Sequence, residues 1–473
     1  TGLPVTANGS DTNHGGALVT ASFEVPIGLD VFVVGTGWGA GPWGRGPWGS
    51  AYTSGGIGQQ LRLWSSDNFG ANLVLAPRGG PIFYWTAANG VGNRAELLAD
   101  LANVASAGSG VWVPKITYQV ISSAIQRFVI AYGANSYDPT DSSTPFDPML
   151  VRWSDQENPY DWIPSVTNQS GEFRLSNGSY IMTAKSTRQE ILVWTDSAIY
   201  SQQYLGPPYV WGFQILMDNI SIMSPNAAIT INNVTYWMGT DKFYMYSGRV
   251  ETLPCALRQY IFADINQDQA YQVFAGANEA FNEVWWFYCS SSSTSVNKYV
   301  VYNHQEKTWY YGTMARTAWI DAGLLPYPTA ATYSYNLVNH ESGLNDNETG
   351  TTQPINAYIS SSEFDIGDGD HFAFVWRVLP DITFDNSTSD PSGNLPQVTM
   401  ELYGLSNSGS GVQSDIAQPV QKSNAYYITE EFTGQIYTRV RGRQIAMKIE
   451  SNTLGTTWQL GAPRIDIRPD GRR

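Results

Sequence analysis

The histidines and cysteines are the first residues to consider for chemistry. None of the histidines lies at a metal-ligand spacing from another His or Cys; the four are His14, His304, His340 and His371. The two cysteines, Cys255 and Cys289, are too few for a disulfide framework, and Cys289 follows an aromatic run as a small core residue would. No Gly-x-Ser-x-Gly elbow followed by Asp and His is present. The sequence therefore predicts a protein that is not an enzyme and carries no cofactor, apart from the ion considered next.

An acidic loop, Glu363-Phe-Asp-Ile-Gly-Asp-Gly-Asp-His371, is the best candidate for an ion site. Ca²⁺ and Mg²⁺ prefer several oxygen ligands on a tight loop, and the glycines would let carboxylates converge. The ligands would be Asp365, Asp368 and Asp370. The spacing lacks the terminal Glu of a helix–loop–helix calcium site, so a solvated hairpin turn is the alternative.

Charge is distributed unevenly along the chain. The net charge is −15, but residues 437–473 hold eight Arg and Lys against three acids, which gives +5 there and −20 elsewhere. An acidic chain does not suit a nucleic-acid clamp; it suits solubility, or a surface that DNA passes without binding. Arg439, Arg441 and Arg443 are therefore interface candidates for a ring in which one face complements another. Ion pairing within the same domain and contact with DNA are the alternatives.

A second set of interface candidates lies in the Gly-rich segment 1–60. Trp38, Trp43 and Trp48 are spaced five residues apart. Trp38 directly precedes the stretch Gly39-Ala-Gly-Pro-Trp-Gly-Arg-Gly-Pro-Trp-Gly49, which contains the other two. Glycines permit close backbone packing, and tryptophans provide large anchoring surfaces. A phosphate loop would need a strand before it, a helix after it and usually a Lys, so a packed loop or subunit contact is the favoured interpretation.

The composition is that of an all-β protein. Aromatic residues reach 13% and charged residues only 14%, with 45 Gly to supply turns. No run of about 18 apolar residues appears, so no membrane-spanning helix is predicted. Helix is expected in one place, residues 93–102.

Residues 61–345 repeat one theme, a short apolar strand, a polar turn and a second aromatic strand. The pairs are 73–75 with 82–85, 128–132 with 149–153, 191–194 with 198–200, 235–238 with 243–246, and 284–288 with 299–302. A four-stranded propeller blade takes roughly 40–50 residues, which is close to this spacing. The pattern predicts a propeller-like β domain, with a large irregular sandwich as the alternative.

Residues 346–473 show the period-two alternation of an antiparallel β-sandwich. The predicted core residues are Phe374, Trp376, Met400, Ile445, Met447 and Ile449. The apolar Val440 has an even number, whereas the apolar Ile445, Met447 and Ile449 have odd numbers. Side chains alternate between the two faces of a strand, so apolar residues can change from even to odd positions only across a bulge or a turn. Gly442 is the expected position of that bulge or turn.

Several stretches carry a resemblance to a known family. They are Gly37-Trp-Gly-Ala-Gly-Pro-Trp-Gly-Arg-Gly, Phe281-Asn-Glu-Val-Trp-Trp-Phe-Tyr, Tyr299-Val-Val-Tyr-Asn, Trp309-Tyr-Tyr-Gly-Thr-Met-Ala-Arg-Thr-Ala-Trp319, Phe364-Asp-Ile-Gly-Asp-Gly-Asp, and Leu460-Gly-Ala-Pro-Arg-Ile-Asp-Ile-Arg-Pro-Asp-Gly-Arg. Together they are similar to virion structural proteins of short-tailed bacteriophages and prophages. The family is that of the tail hub or nozzle, also described as tail tubular or DNA-stabilisation proteins.

The resemblance implies a homohexameric ring below the portal and adaptor, which extends the DNA channel, retains packaged DNA and anchors fibres or a needle. The expected location is the tail of the virion, after assembly in the host cytoplasm. The expected partners are other copies of the chain, a tail adaptor or portal-proximal protein, a tail fibre or needle, and double-stranded DNA that passes without specific binding. The alternative is a tail-associated protein that binds or hydrolyses polysaccharide, since the two carboxylates of a glycosidase can be distant in sequence.

Overall fold

The computed structural model describes residues 63–140, 144–367, 369–388, 390, 393–407 and 423–471. The chain divides into two compact units, Thr1–Tyr333 (unit 1) and Ser334–Arg473 (unit 2). The boundary falls before the one expected at 345/346. One reason is visible in unit 2, where the Gly455 backbone N–H donates to the side-chain oxygen of Asn345 at 2.7 Å and ties the polar segment to the following domain. The predicted segment 1–60 lies outside the described residues.

The described part of unit 1 contains five antiparallel four-stranded sheets, and the four strands of each sheet follow one another in sequence. Sheet 1 consists of β1 (Trp64–Phe69), β2 (Asn72–Pro77), β3 (Phe83–Trp85) and β4 (Glu96–Leu97). Sheet 2 consists of β5 (Thr117–Ser122), β6 (Val129–Asn135), β7 (Phe146–Trp153) and β8 (Gly171–Arg174). Sheet 3 consists of β9 (Ile181–Ser186), β10 (Ile191–Thr195), β11 (Ala198–Gly206) and β12 (Val210–Asp218).

Two further sheets and a strand pair complete the described part of unit 1. Sheet 4 consists of β13 (Ala228–Ile231), β14 (Val234–Met238), β15 (Phe243–Tyr246) and β16 (Val250–Leu253). Sheet 5 consists of β17 (Phe274–Asn278), β18 (Glu283–Tyr288), β19 (Lys298–Asn303) and β20 (Thr308–Thr313). The antiparallel pair β21 (Ala318–Ile320) and β22 (Thr329–Ala331) follows.

The five strand pairs predicted from the sequence are confirmed, and they are the second and third strands of the five sheets. Several of these central strands are buried on both faces, as β6 and β10 are along their whole length. They therefore read as continuous apolar runs, which made them easy to find in the sequence. The first and fourth strands of each sheet are less apolar, and the repeated pattern of apolar strand pairs did not predict them.

Neighbouring sheets pack face to face and share apolar cores. The core between sheets 3, 4 and 5 includes three tryptophans from the second strand of each sheet, Trp194, Trp237 and Trp286. The rings of Trp194 and Trp237 meet edge to face at 5.4 Å, and the Trp286 indole N–H donates to the backbone oxygen of Ala227 at 3.0 Å. Buried aromatic pairs of this kind add roughly 1 kcal/mol each to the burial of their area.

Side chains, together with some backbone hydrogen bonds, join successive sheets near their first strands. The amide of Gln119 on β5 donates to the Ala184 backbone oxygen at 2.7 Å and accepts from the Ala184 N–H at 2.7 Å. On β1, Ser65 and Asp67 accept the backbone N–H groups of Val120 (3.0 Å) and Ser122 (2.9 Å) on β5. Each contact satisfies a backbone group that the edge of a sheet would otherwise leave unpaired. Successive four-stranded sheets joined through their first strands constitute a propeller-like domain, as predicted.

Helix α1 (Leu98–Ala105) lies near the predicted helix but begins later, because Leu97 pairs with Phe83 in sheet 1. It buries Leu98 and Ala102 against that sheet. A second helix, α2 (Arg258–Asp264), was not predicted, since its seven residues are too few to show a helical period. In the described part of the chain, no helix is long and apolar enough to cross a membrane.

Unit 2 is an antiparallel β-sandwich, as predicted. Its four-stranded sheet has the order β26 (Ala357–Ser360), β32 (Gln444–Ser451), β29 (Gln397–Leu405), β30 (Ser423–Glu430). Its three-stranded sheet has the order β31 (Ile436–Gly442), β27 (Ala373–Leu379), β34 (Arg464–Pro469). The short strands are β23 (Leu337–Asn339), β24 (Asn345–Asp346), β25 (Gln353–Pro354), β28 (Ile382–Thr383) and β33 (Gln459–Leu460).

The core between the two sheets corrects part of the prediction. Met400, Ile445, Met447 and Ile449 are buried in it as expected. Phe374 is only half-buried and Trp376 is 38% exposed, because β27 turns its odd residues inward. The inward residues are Ala373, Val375 and Val378, with a register shift between Val375 and Arg377 that restores an apolar residue to the core.

The expected break in parity near Gly442 is confirmed as a corner between the two sheets. Strand β31 ends at Gly442 and β32 begins at Gln444, in the opposite sheet. A Cβ at Gly442 would lie 2.7 Å from the Gly404 Cα and 2.6 Å from the Gln444 oxygen. Only glycine fits here, because both neighbours belong to the backbone and cannot rotate away.

Candidate functional surfaces

The acidic loop does not assemble an ion site from the residues that can be described. Phe364 forms an isolated bridge with Ile445, which fixes the start of the loop against β32. The Asp365 carboxylate lies 3.4 Å from the amide nitrogen of Gln444. Asp368 lies outside the described residues, and the described residues contain no group of three His, Cys, Asp or Glu placed to hold a metal. Asp365 and Asp370 are thus not part of such a group.

The three predicted interface arginines have different surroundings. Arg439 is exposed on β31. The Arg441 guanidinium donates to the Asp470 carboxylate at 2.6 Å and lies 4.2 Å from the Phe372 ring. Arg443 lies at the corner, 5.4 Å from the same ring, with its Nε buried. The predicted Trp38, Trp43 and Trp48 lie outside the described residues.

The outer side of the three-stranded sheet in unit 2 combines arginines with aromatic rings, and we call it the basic aromatic face. Phe374 stands between Arg441 on β31 and Arg468 on β34, as its direct cross-strand partners. The Arg468 guanidinium lies 4.9 Å from the Phe374 ring, and Arg377 lies 4.9 Å from Trp376. The members of this face are Phe374, Trp376, Arg377, Tyr437, Arg439, Arg441, Arg464, Asp466 and Arg468.

Ion pairs neutralise only part of this face. Arg377 pairs with Asp466 at 2.5 Å, and Arg441 with Asp470 at 2.6 Å. Arg464 is exposed and has no hydrogen-bond or ionic partner among the described residues, while Arg468 contacts an aromatic ring rather than an acid. The face is therefore positively charged on a chain that is acidic elsewhere.

Arg464 and Arg468 were not predicted to belong to a common surface. The signal was present in Arg464-Ile-Asp-Ile-Arg468, where charged and apolar residues alternate. Ile465 and Ile467 pack against the sandwich core, which places the charged residues on the opposite side. The exposure of Phe374 and Trp376 could not be found this way, because the bulge in β27 leaves no mark in the pattern.

Unit 1 contains a different kind of site, the inner cavity, where the first strands of three sheets meet. Its volume is about 340 Å³, and it is lined by β1, β5 and β9 together with Pro225 and Asn226. The Arg78 guanidinium crosses one side of it from sheet 1 to sheet 3, donating to the backbone oxygens of Met182 (2.9 Å) and Ile181 (3.1 Å). Burial lowers the pKa of Arg78, with nearby tyrosines opposing that effect. The charged residues along the wall are Asp67, Arg78 and Lys185.

No protein-family model matches the sequence, and no curated protein matches it. Solved structures with a similar fold include the AfRom2 CNH domain, with 11% identity, 63% of this chain and 88% of that chain covered, and a TM-score of 0.31. Another is the extracellular domain of a candidate one-component system of B. thetaiotaomicron, with 10% identity, 73% and 43% covered, and a TM-score of 0.34. A third is PorZ, a surface component of the type-IX secretion system of Porphyromonas gingivalis, with 9% identity, 65% and 39% covered, and a TM-score of 0.25. Similarity at this level concerns the β-rich architecture alone.

Proposed function

We propose that this chain is a structural, non-catalytic subunit of a short-tailed phage tail hub or nozzle, and that it assembles into a ring through which DNA passes. The observation that carries the proposal is the basic aromatic face on an otherwise acidic chain. Exposed arginines beside exposed aromatic rings are the residues most enriched at protein interfaces. The sequence resemblance supplies the family, and the proposed partners are other copies, a tail adaptor or portal-proximal protein, and a fibre or needle.

Charge complementarity explains why the partner of this face is another copy of the chain. Residues 437–473 carry +5 and the rest of the chain −20, so the basic face of one copy attracts the acidic surface of the next. Contacts between two unlike patches are heterologous, and they close into a ring when the rotation allows it. A wall that remains acidic after assembly repels the phosphates of passing DNA, since each cationic contact would add salt-sensitive binding.

The test compares assembly of the purified full chain with that of Arg464→Ala/Arg468→Ala, by mass photometry and electron microscopy at low and moderate salt. Wild type is expected to form closed rings, and the double variant to remain mostly unassembled at the same concentration. Arg188→Ala/Lys307→Ala removes two exposed cations from unit 1 and is the matched control, which should assemble as wild type does.

Two outcomes would contradict the proposal. A monomer or trimer at all concentrations would favour the polysaccharide-binding alternative over a hub. Tight, salt-dependent binding of a short DNA duplex, lost in the Arg464/Arg468 variant, would make the basic aromatic face a DNA-binding surface. Circular dichroism of both variants checks that neither substitution unfolds the chain.

A further inference from the structure

The inner cavity extends toward sheets 4 and 5. An adjoining cavity of about 370 Å³ is lined by the first strands of sheets 3, 4 and 5 and by β21. The two cavities share Lys185, Ser186 and Asn226. Their combined walls thus come from the inner edge of every sheet in the described part of unit 1, with Lys185 at the junction.

The side chain of Lys185 has no ion pair and no hydrogen bond among the described residues, although the residue is half-buried. Other partly buried lysines in the chain are paired, as Lys298 is with Asp264 at 2.8 Å. Burial lowers the pKa of Lys185. Holding an unpaired ammonium in such a place costs stability, and an anion supplied from outside would remove that cost.

No other charged group on the walls forms an ion pair with Lys185. The Asp67 carboxylate already accepts the backbone N–H groups of Ser122 (2.9 Å) and Asn68 (2.8 Å). Arg78 on the same wall adds a second positive charge, and its donors are directed at backbone oxygens. The adjoining cavity has no other ionisable side chain on its walls than Lys185.

Neutral hydrogen-bonding groups surround the same space. Ser66 lies on β1, Ser186 on β9, and Asn226 in the segment before β13, so three different elements supply them. A tetrahedral oxyanion takes hydrogen bonds from several directions at once, and Lys is a common phosphate-binding residue because it acts as a point charge. We propose that the inner cavity binds a phosphate-type oxyanion, with Lys185 as its principal cationic ligand and Ser66, Ser186 and Asn226 as neutral donors. This site is separate from the basic aromatic face and does not depend on ring assembly.

The experiment titrates the purified full chain with inorganic phosphate, with glycerol phosphate and with acetate, using isothermal calorimetry at constant ionic strength. We expect phosphate to bind and acetate to bind much more weakly, because a planar carboxylate uses fewer of the donors. Glycerol phosphate distinguishes a free phosphate ion from a phosphate monoester, since only a cavity that accommodates the ester will bind it as well. Binding should weaken as pH rises and Lys185 loses its proton.

Lys185→Gln is expected to weaken phosphate binding about tenfold, the effect of losing one charged hydrogen bond. Arg188→Gln, an exposed cation three residues further along, is the control and should bind as wild type does. Lys185→Arg keeps the charge and should retain most of the binding. Absence of phosphate binding by folded wild type, or equal binding by Lys185→Gln, would overturn the proposal.

Discussion

Two arginines, one in each unit, have opposite roles. In unit 1, Arg152 is 1% exposed and donates to the backbone oxygens of Asn135 (3.0 Å) and Trp162 (2.8 Å). In unit 2, Arg468 is exposed and lies over the ring of Phe374. A buried guanidinium whose donors meet carbonyl oxygens connects segments of the fold, whereas one on an exposed ring keeps its charge accessible to a partner. The comparison teaches that the surroundings of an arginine, rather than its presence, decide whether it is structural or available for binding.

The strongest test of this comparison is Arg152→Ala. Burial lowers the pKa of Arg152 to about 10, which is still far above neutral, so the wild-type side chain is charged at pH 7. Removing it takes a charged donor from two backbone oxygens in the interior, and we expect a loss of about 4 kcal/mol in the stability of unit 1. Calorimetry of the unfolding transitions measures this. The control is Arg174→Ala in the same sheet, whose side chain is 61% exposed beside Asp147 and should cost less than about 1 kcal/mol.

In unit 2 the largest expected loss lies at a glycine rather than at an arginine. Gly442→Ala places a Cβ 2.7 Å from the Leu405 backbone nitrogen and closer still to the Gln444 oxygen. Because the corner must open to accept it, we expect a loss of about 3 kcal/mol, measured by urea unfolding. Gly434→Ala, where a Cβ would meet nothing within 4 Å, should change stability by only a few tenths of a kcal/mol. Equal effects of the two substitutions would mean that the corner is not tightly packed.

A smaller effect distinguishes the two sides of β27. Val375→Ala removes fully buried methyl groups and should cost about 2 kcal/mol in unit 2. Trp376→Ala should cost less than Val375→Ala, although the side chain is larger, because Trp376 is 38% exposed. If Trp376 faced the core, as the sequence predicts, Trp376→Ala would cost more stability than Val375→Ala. Urea unfolding of these two variants therefore tests the bulge directly.

The smallest expected effect concerns Lys185, a half-buried cation of unit 1 whose side chain has no partner among the described residues. Its pKa is lower in the folded chain than its ordinary value of 10.5, so between these two values the unfolded chain binds more protons. Stability of wild type should therefore rise with pH across that window. Lys185→Met avoids the cost of a buried ammonium and should be more stable than wild type at pH 7 in phosphate-free buffer. The difference in unfolding free energy between the two proteins should shrink as pH rises. A difference that stays constant with pH would assign the effect to packing instead.

The sequence was most informative where strands are buried on both faces. The central strands of unit 1 contain continuous apolar runs, so their pairing and their spacing along the chain predicted the propeller-like domain. In unit 2 the alternation predicted the strands and the sandwich, but Phe374 and Trp376 were assigned to the wrong side. Arginine contacts with these rings stabilise them at the surface, and a preference for aromatic residues in the core cannot anticipate such contacts.

The candidate sites were less predictable than the fold. Arg441 meets Asp470 across 29 residues, and Lys185 shares its cavity with residues from β1 and from the segment before β13. Such neighbours come together only through the packing of whole sheets. The sequence therefore indicated which residues are charged, but not which charges the fold itself neutralises.

The junctions between successive sheets in unit 1 also bear on how the domain responds to mechanical load. Within a sheet, backbone hydrogen bonds form a continuous ladder, whereas Gln119 bridges two sheets through one side-chain amide. Under a pulling force these bridges yield before the ladders, and a broken bridge can re-form without any strand leaving its sheet. A wall built in this way would yield at its seams while its sheets stay intact, and that property would suit the conduit proposed above.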